Sequence, residues 1–585
     1  MNFAAIRHKA TDVECYARNS EELVIQLFTG YDIDKVFLIS GDPFEFGILG
    51  GSHKWQGKRS EITQKRRLKN HLLWKTIVSP KFKRCRYYFE IHSGDEVYFM
   101  LEDGFYKSID DLPGMLEGFT FPWMNPIDIY TPPKWVQDTV WYQIFPDRFC
   151  RVLSEEEIKE NKLPQWDEDK TIKKEIIYGG NLAGIISRLD YLKDLGISGL
   201  YLNPINQSST SHKYDTVDYF SIDSTLGDKE TMKKLVSEAH KRGIRIMLDG
   251  VFNHSGWLFP QWKDVEKKGP ESPYYSWFMV NEWPFDKPGN NARNGKFYSF
   301  AFVDGMPKLN TNNQEVIDYL LDVCEKWVND YDIDALRLDV ANEVSHNFCR
   351  QLRQRMLKLK SDFYIIGEIW HDSTTWLRGD EFDAVMNYPL ANSLTNFWLN
   401  KNQTADDFEF AINRCYSMYT EQISKVLFNL LDSHDTIRLV TKLKNVDWFY
   451  QQMAVLFTMP GCSCIYYGTE IVMEGGYDPD CRRCMPWSQI DAGKHDDKIA
   501  AMKKLIKMRN ENKLCKSLEI KFVQEDENPR FVHYQKVAED GTLDVYLNCS
   551  ENVWTLVDDG ECLFAGLYEN DRLQPGGVVI SYRKK

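Results

Sequence analysis

The sequence predicts an α/β chain built on a closed barrel of eight parallel strands, a (β/α)8 TIM barrel, with a β domain at each end. Three observations predict it. Between residues 136 and 512, short apolar runs alternate with stretches of helical periodicity, and eight such runs occur. The flanks, 1–125 and 515–585, read instead as closely spaced strands with polar turns between them. Several central runs end in charged residues, and catalytic groups of a parallel barrel gather at the C-terminal ends of its strands.

In chain order, LVIQLF, KVFLIS, YYFEIH and EVYFML predict an N-terminal β-sandwich over 1–125, and the Pro-marked NPIDIYTPPKW, 125–135, reads as a linker. The barrel strands are VWYQIFP (140–146), GLYLNPI (199–205), IRIMLDG (244–250), IDALRLD (333–339), FYIIGEI (363–369), FDAVMNY (382–388), KVLFNLL (425–431) and CSCIYYG (462–468). Helices fit the gaps. Val316, Leu320, Val323 and Trp327 repeat at helical spacing behind the cap-competent Asn312 and Asn313. Residues 255–311 are too long for a simple crossover and rich in Trp and Tyr, so an inserted subdomain is expected after strand three. RFVHYQKV, LDVYLNC and GGVVISY predict a C-terminal β-sandwich over 515–585.

At 585 residues the chain is long enough for several domains. Its net charge of −14 argues against nucleic acid as a partner. Aromatic residues reach 14%, which suits a core and also suits sugar binding, where flat apolar faces sit beside hydroxyl-bonding groups. No window approaches a membrane span, and MNFAAIRHKATDVECYARNSEEL has no apolar stretch of signal-peptide length. Thirteen scattered cysteines fit free thiols in a reducing compartment, so a cytoplasmic location is expected. Cys462 and Cys464 with Cys481 and Cys484 have spacing atypical of zinc sites, and no metal is expected there.

Strand periodicity puts Ala335, Arg337 and Asp339 on one face, so a guanidinium and a carboxylate aim at the same barrel mouth. The other strand ends add Asp249 and His254 (LDGVFNH), Glu368 (GEIWH), and His434 and Asp435 (DSHD). Cleaving a glycosidic bond needs one acid to protonate the leaving oxygen and one carboxylate to meet the oxocarbenium-like centre. Arg337 is expected to hold Asp339 ionised; Ile366, Ile369 and Trp370 are expected to give Glu368 an apolar setting that keeps it protonated.

DGVFNH, DALRLDVANE, GEIW and DSHD resemble the conserved regions of the α-amylase family of glycoside hydrolases. MPKLN (306–310), VANE (340–343), GEIWHD (367–372), HKYDT (212–216) and DPDCRR (478–483) narrow the likeness to its cyclomaltodextrinase, neopullulanase and maltogenic amylase group. The resemblance covers essentially the whole chain, and the N-terminal domain looks like that group's starch-binding-type module. It implies Asp339 as nucleophile, Glu368 as acid/base and Asp435 as the third acid gripping sugar hydroxyls. It also implies sugar contacts from His254 and His434, stacking platforms at Tyr214 and Trp370, and far-hydroxyl contacts from Asp478 and Arg482.

The activity implied is retaining hydrolysis of α-1,4, and some α-1,6, glucosidic bonds in cyclodextrins, maltooligosaccharides, pullulan or starch fragments. An α-glucosidase or glucosyl transferase on the same barrel stays open, as does a non-catalytic carbohydrate-binding scaffold. A homodimer, common in the group, stays open too. Two departures concern calcium. Many relatives follow PDRF with a run of oxygen donors, whereas this chain reads PDRFCRVLSEEEIKENKL, whose EEE is expected to start an exposed helix; and GGNL has Asn181 where relatives commonly have Asp. No calcium and no other cofactor are expected.

Overall fold

The computed structural model describes residues 1–585 except 46–54, 56, 110–117, 167–171, 174, 175, 288, 526 and 527. It divides into two compact units, residues 1–131 with 402–424, and 132–401 with 425–585.

The first unit holds two antiparallel sheets. One joins Cys15–Ala17, Leu23–Thr29, Leu72–Val78 and Gln64–Arg67; the other joins Lys58–Glu61, Lys35–Gly41, Cys85–Ser93, Glu96–Leu101 and Gly104–Tyr106, with Phe119–Phe121 on Cys85–Ser93. Alternate residues make its core: Leu23, Ile25 and Leu27 meet Val36, Leu38, Tyr87, Phe89 and Ile91. The helices Ala405–Cys415 and Glu421–Ser424, within the segment 136–512, group by their contacts with this unit. Ion pairs are among the contacts that hold them. Arg67 pairs with Asp406 at 3.0 Å and Glu409 at 2.9 Å, Arg18 reaches Glu421 at 3.0 Å, and buried Lys75 pairs with Glu421 as well.

In the second unit all eight predicted barrel runs form strands: Val140–Ile144, Gly199–Leu202, Arg245–Gly250, Ala335–Leu338, Tyr364–Gly367, Ala384–Val385, Phe428–Asn429 and Cys462–Tyr466. Every pairing is parallel, and a parallel bridge between Met386 and Phe428 closes the ring. Trp141, Tyr201, Met247, Ala335, Tyr364, Ile366, Phe428, Cys462 and Cys464 pack inside it as one cluster. Ala335 therefore faces inward and, two residues on, so does Arg337. The helix Gln314–Tyr331 is capped by the Asn313 side chain on Glu315 N–H, which contributes about 1 kcal/mol, and buries Val316, Leu320, Val323 and Trp327.

The insertion after strand three carries the helix Pro260–Lys268 and isolated bridges Phe278–Leu309, Val280–Phe297 and Ser299–Pro307. Its core is Trp262, fully buried, with ring centroids 4.9 Å from Phe278, 4.8 Å from Phe297 and 5.2 Å from Phe285. The C-terminal β domain bonds as one six-stranded antiparallel sheet, where a sandwich was expected; its long last strand, Arg572–Lys584, pairs with three neighbours and so links them all. Among the described residues no helix is long and apolar enough to cross a membrane.

Candidate active site

Parallel register sets Asp249 beside Arg337 on adjacent strands. Arg337 is fully buried, and its Nη1 donates to Asp249 Oδ1 at 2.8 Å and to Asp339 Oδ1 at 2.9 Å. Its Nη2 lies 2.9 Å from Glu368 Oε2, an ion pair without hydrogen-bond alignment. One guanidinium thus serves three acids. Two of them, Asp339 and Glu368, follow directly on strands four and five.

Arg337 favours the ionised form of Asp339, as expected, but it does not act alone. Burial pushes the Asp339 carboxyl well above the usual carboxylate range, Arg337 opposes this, and Glu368 and Asp249 push it higher again. The surroundings expected for Glu368 are corrected: Ile366 packs into the barrel core, while the carboxylate accepts hydrogen bonds from Val340 N–H on Oε2 at 3.0 Å and Trp370 Nε1–H on Oε1 at 3.0 Å. Trp370 lies flat on Tyr388, centroids 3.6 Å apart and planes 6° apart, and is 43% exposed. One indole face is therefore covered by Tyr388.

His434 sits in a chain of donors. With the Gln143 amide oriented to donate to His434 Nδ1 at 2.8 Å, the ring proton is on Nε2, 2.7 Å from Tyr214 Oη; Tyr214 O–H then donates to Asp249 Oδ2 at 2.9 Å. Burial, with Arg482 and Arg337 nearby, holds His434 well below the usual imidazole range, so it is neutral. Tyr214 is stacked on His434 at 5.4 Å and bonded at its hydroxyl, which gives it a packing role besides any platform for sugar.

His254 is also buried and neutral, its pKa lowered to about 4 by desolvation, with Nε2 3.1 Å from the Tyr214 carbonyl oxygen. Gly256 makes that approach possible, since a Cβ there would lie 2.3 Å from the Asp215 carbonyl oxygen. Asp435 keeps a third of its side chain open; Arg482 Nη2 is 3.3 Å from its Oδ1, and Arg482 Nη1 pairs with Asp478 at 2.9 Å. Burial in the cleft pushes Asp435 up.

All ten residues singled out from the sequence lie in this neighbourhood. Eight of them, all but Arg337 and His434, line a cleft of about 440 Å³; Arg337 and His434 lie beneath it as buried supports. Sequence reasoning gave no role to Asp249, although its position in LDGVFNH was a signal, and missed His212, Phe300 and Glu343, which also line the cleft. The cysteines considered together are separated in function: Cys462 and Cys464 pack in the barrel interior, and Cys481 Sγ donates to the His434 carbonyl at 3.1 Å.

Residues 143–540 match the family model of the α-amylase catalytic domain, and residues 1–125 match that of the α-amylase N-terminal immunoglobulin-like domain. The chain belongs to the α-amylase family. Within it, a cyclomaltodextrinase of Geobacillus thermopakistaniensis is 42% identical over 557 residues, covering 94% of this chain and 92% of that one. A maltogenic α-amylase of Bacillus acidopullulyticus is 40% identical over 556 residues, with the same coverage. A solved cyclomaltodextrinase superposes with a TM-score of 0.87 at 34% identity, covering 100% of this chain and 98% of that one.

In the segment after PDRF and at GGNL the local oxygen donors are engaged within the chain. Ser154 and Glu157 form a capping box on the short helix Glu155–Glu160. Asn181 caps the next helix through Oδ1 on Gly184 N–H at 2.8 Å and spends its amide N–H on the Val152 carbonyl at 3.0 Å, a bond a carboxylate could not make.

Proposed function

We propose that the chain is a retaining α-glucan hydrolase that cleaves α-1,4, and some α-1,6, glucosidic bonds in cyclodextrins, maltooligosaccharides, pullulan or starch fragments. The observation that carries this is the placement of Asp339 and Glu368 on the two ends of one guanidinium. Two acids sharing so small a bridge are close neighbours, the spacing that double displacement needs; an inverting enzyme holds them further apart to admit water.

In this reading Asp339 attacks the anomeric carbon as Glu368 protonates the departing glycosidic oxygen. A glycosyl ester forms on Asp339, and the aglycone leaves with the proton. Glu368, now a base, takes a proton from water, whose oxygen attacks the same carbon and frees Asp339. Asp435, with Arg482 and Asp478 behind it, holds hydroxyls of the reacting sugar. His254 lines the cleft beside that sugar, its ring N–H given to the Tyr214 carbonyl, neutral His434 supports the site from beneath through Tyr214 Oη, and the exposed part of Trp370 receives the leaving sugar.

The same proposal makes the enzyme cytoplasmic, supported by thirteen unbridged cysteines, twelve of them buried. It also dispenses with calcium at Asn181, supported by the engaged donors there, so activity should survive chelation. The homodimer suggested by resemblance is tested by sedimentation.

Incubation with β-cyclodextrin, pullulan and soluble starch side by side tests the reading. Maltose and short maltooligosaccharides from cyclodextrin support it. Glucose released only from chain ends would favour the α-glucosidase, larger products the glucosyl transferase, and no products from any of the three the binding scaffold.

A further inference from the structure

The chain does not continue as a strand after Asp339. Val340 has φ 46° and ψ 44°, in the left-handed region, where a β-branched residue is a genuine outlier. Glycine or asparagine would hold this turn with less strain. The hydrogen bonds show what the conformation accomplishes. Successive N–H groups of an extended chain point to opposite sides, whereas at helical dihedrals of either hand they point the same way. At Val340 both turn onto one residue: Val340 N–H reaches Glu368 Oε2 at 3.0 Å and Ala341 N–H reaches the Glu368 carbonyl at 3.2 Å. Glu368 N–H in turn donates to the Leu338 carbonyl at 2.9 Å. Residues flanking Asp339 therefore grip Glu368 at three points.

We propose that the left-handed turn at Val340 is a positioning device, in which the Val340 backbone N–H fixes Glu368 Oε2 so that the transferable proton is carried on Oε1. This rests on the hydrolase reading above. Oε2 accepts the Val340 N–H and lies 2.9 Å from the Arg337 Nη2 cation, and so is the oxygen on which negative charge is favoured. Oε1 faces a single donor, the indole N–H of Trp370. Val340 and Trp370 both line the cleft, which leaves Oε1 the oxygen free to deliver the proton to a bound glycosidic oxygen.

The test replaces Val340 with its α-hydroxy analogue, an amide-to-ester exchange that removes the N–H and keeps the side chain. Two substrates are compared by kcat/KM: β-cyclodextrin, whose leaving oxygen needs a proton, and α-maltosyl fluoride, whose fluoride does not. The expected result is a loss of about tenfold or more on cyclodextrin with a change under about threefold on the fluoride. Equal losses on both substrates, or no loss on either, would overturn the proposal.

Val340→Gly, which keeps the N–H and accepts a positive φ, is expected to hold the ratio of the two kcat/KM values within about threefold of the wild-type ratio, with an unchanged or higher Tm. A selective cyclodextrin loss in this folded variant would assign the effect to the isopropyl group and overturn the proposal as well. Failure of the wild-type enzyme on both substrates would instead contradict the hydrolase reading.

Discussion

Arg337 spans the two acids that the chemistry requires, with Nη1 2.9 Å from Asp339 and Nη2 2.9 Å from Glu368, and it also holds Asp249 at 2.8 Å. Removing it by Arg337→Met leaves three buried acids without a cation and should cost on the order of 3–5 kcal/mol at neutral pH. The sign of its pH dependence follows. Asp249 and Asp339 already sit above the usual carboxylate range, and losing Arg337 raises them further. A raised carboxyl contributes stability at low pH that is lost as pH climbs through its folded value, so the deficit should be smaller at pH 5 than at pH 8. Denaturant titrations at both pH values check this; a deficit that grows on acidification would contradict it.

Trp370→Phe should keep the stack on Tyr388 and lose the indole N–H held by Glu368 Oε1. Activity on cyclodextrin is expected to fall about tenfold with little change in Tm, because the hydrogen bond that orients Oε1 is lost while packing is kept. Steady-state kinetics beside calorimetry measure both. Unchanged kcat/KM would leave Trp370 as rim packing only.

Tyr214→Phe breaks the relay from Gln143 through His434 to Asp249 at its central hydroxyl and leaves the ring stack intact. Loss of the hydroxyl leaves Asp249 with fewer donors, costing about 1–3 kcal/mol of stability. A larger proportional loss in kcat than in KM is expected, since the altered groups support the reacting acids from below. A pure KM effect would point to sugar stacking instead.

In the N-terminal unit, His8 is buried between the Gln26 carbonyl at 2.6 Å and Tyr87 Oη at 2.9 Å, and burial lowers its pKa to about 4. A depressed histidine contributes stability above pH 6.5 that is lost as pH falls toward 4. Its share of that loss is on the order of 3 kcal/mol. His8→Gln should flatten the pH dependence of unfolding over this window by that amount. Parallel curves for the two proteins would contradict the assignment.

The barrel was legible because strand and helix periods alternate over hundreds of residues, and parity alone put Arg337 inside with Ala335. The acids were legible because they stand at strand ends. What escaped was non-local. Nothing local in 405–415 says which surface its helix packs on, and its partners, Arg67 among them, lie far away in sequence. The isoleucines around Glu368 suggested an apolar pocket, yet its actual partners come from the end of the neighbouring strand and from the polar edge of Trp370. Val340 opposed its own propensity, so no local rule could announce a left-handed turn there.

The most direct test of the central claim uses Glu368→Gln with α-maltosyl fluoride, followed by mass spectrometry of the intact protein and its peptides. Without a base to activate water, the ester should accumulate, and the account predicts one maltosyl group on the peptide carrying Asp339. A maltosyl group on any other residue, or turnover to a product of inverted configuration with no adduct, would contradict it.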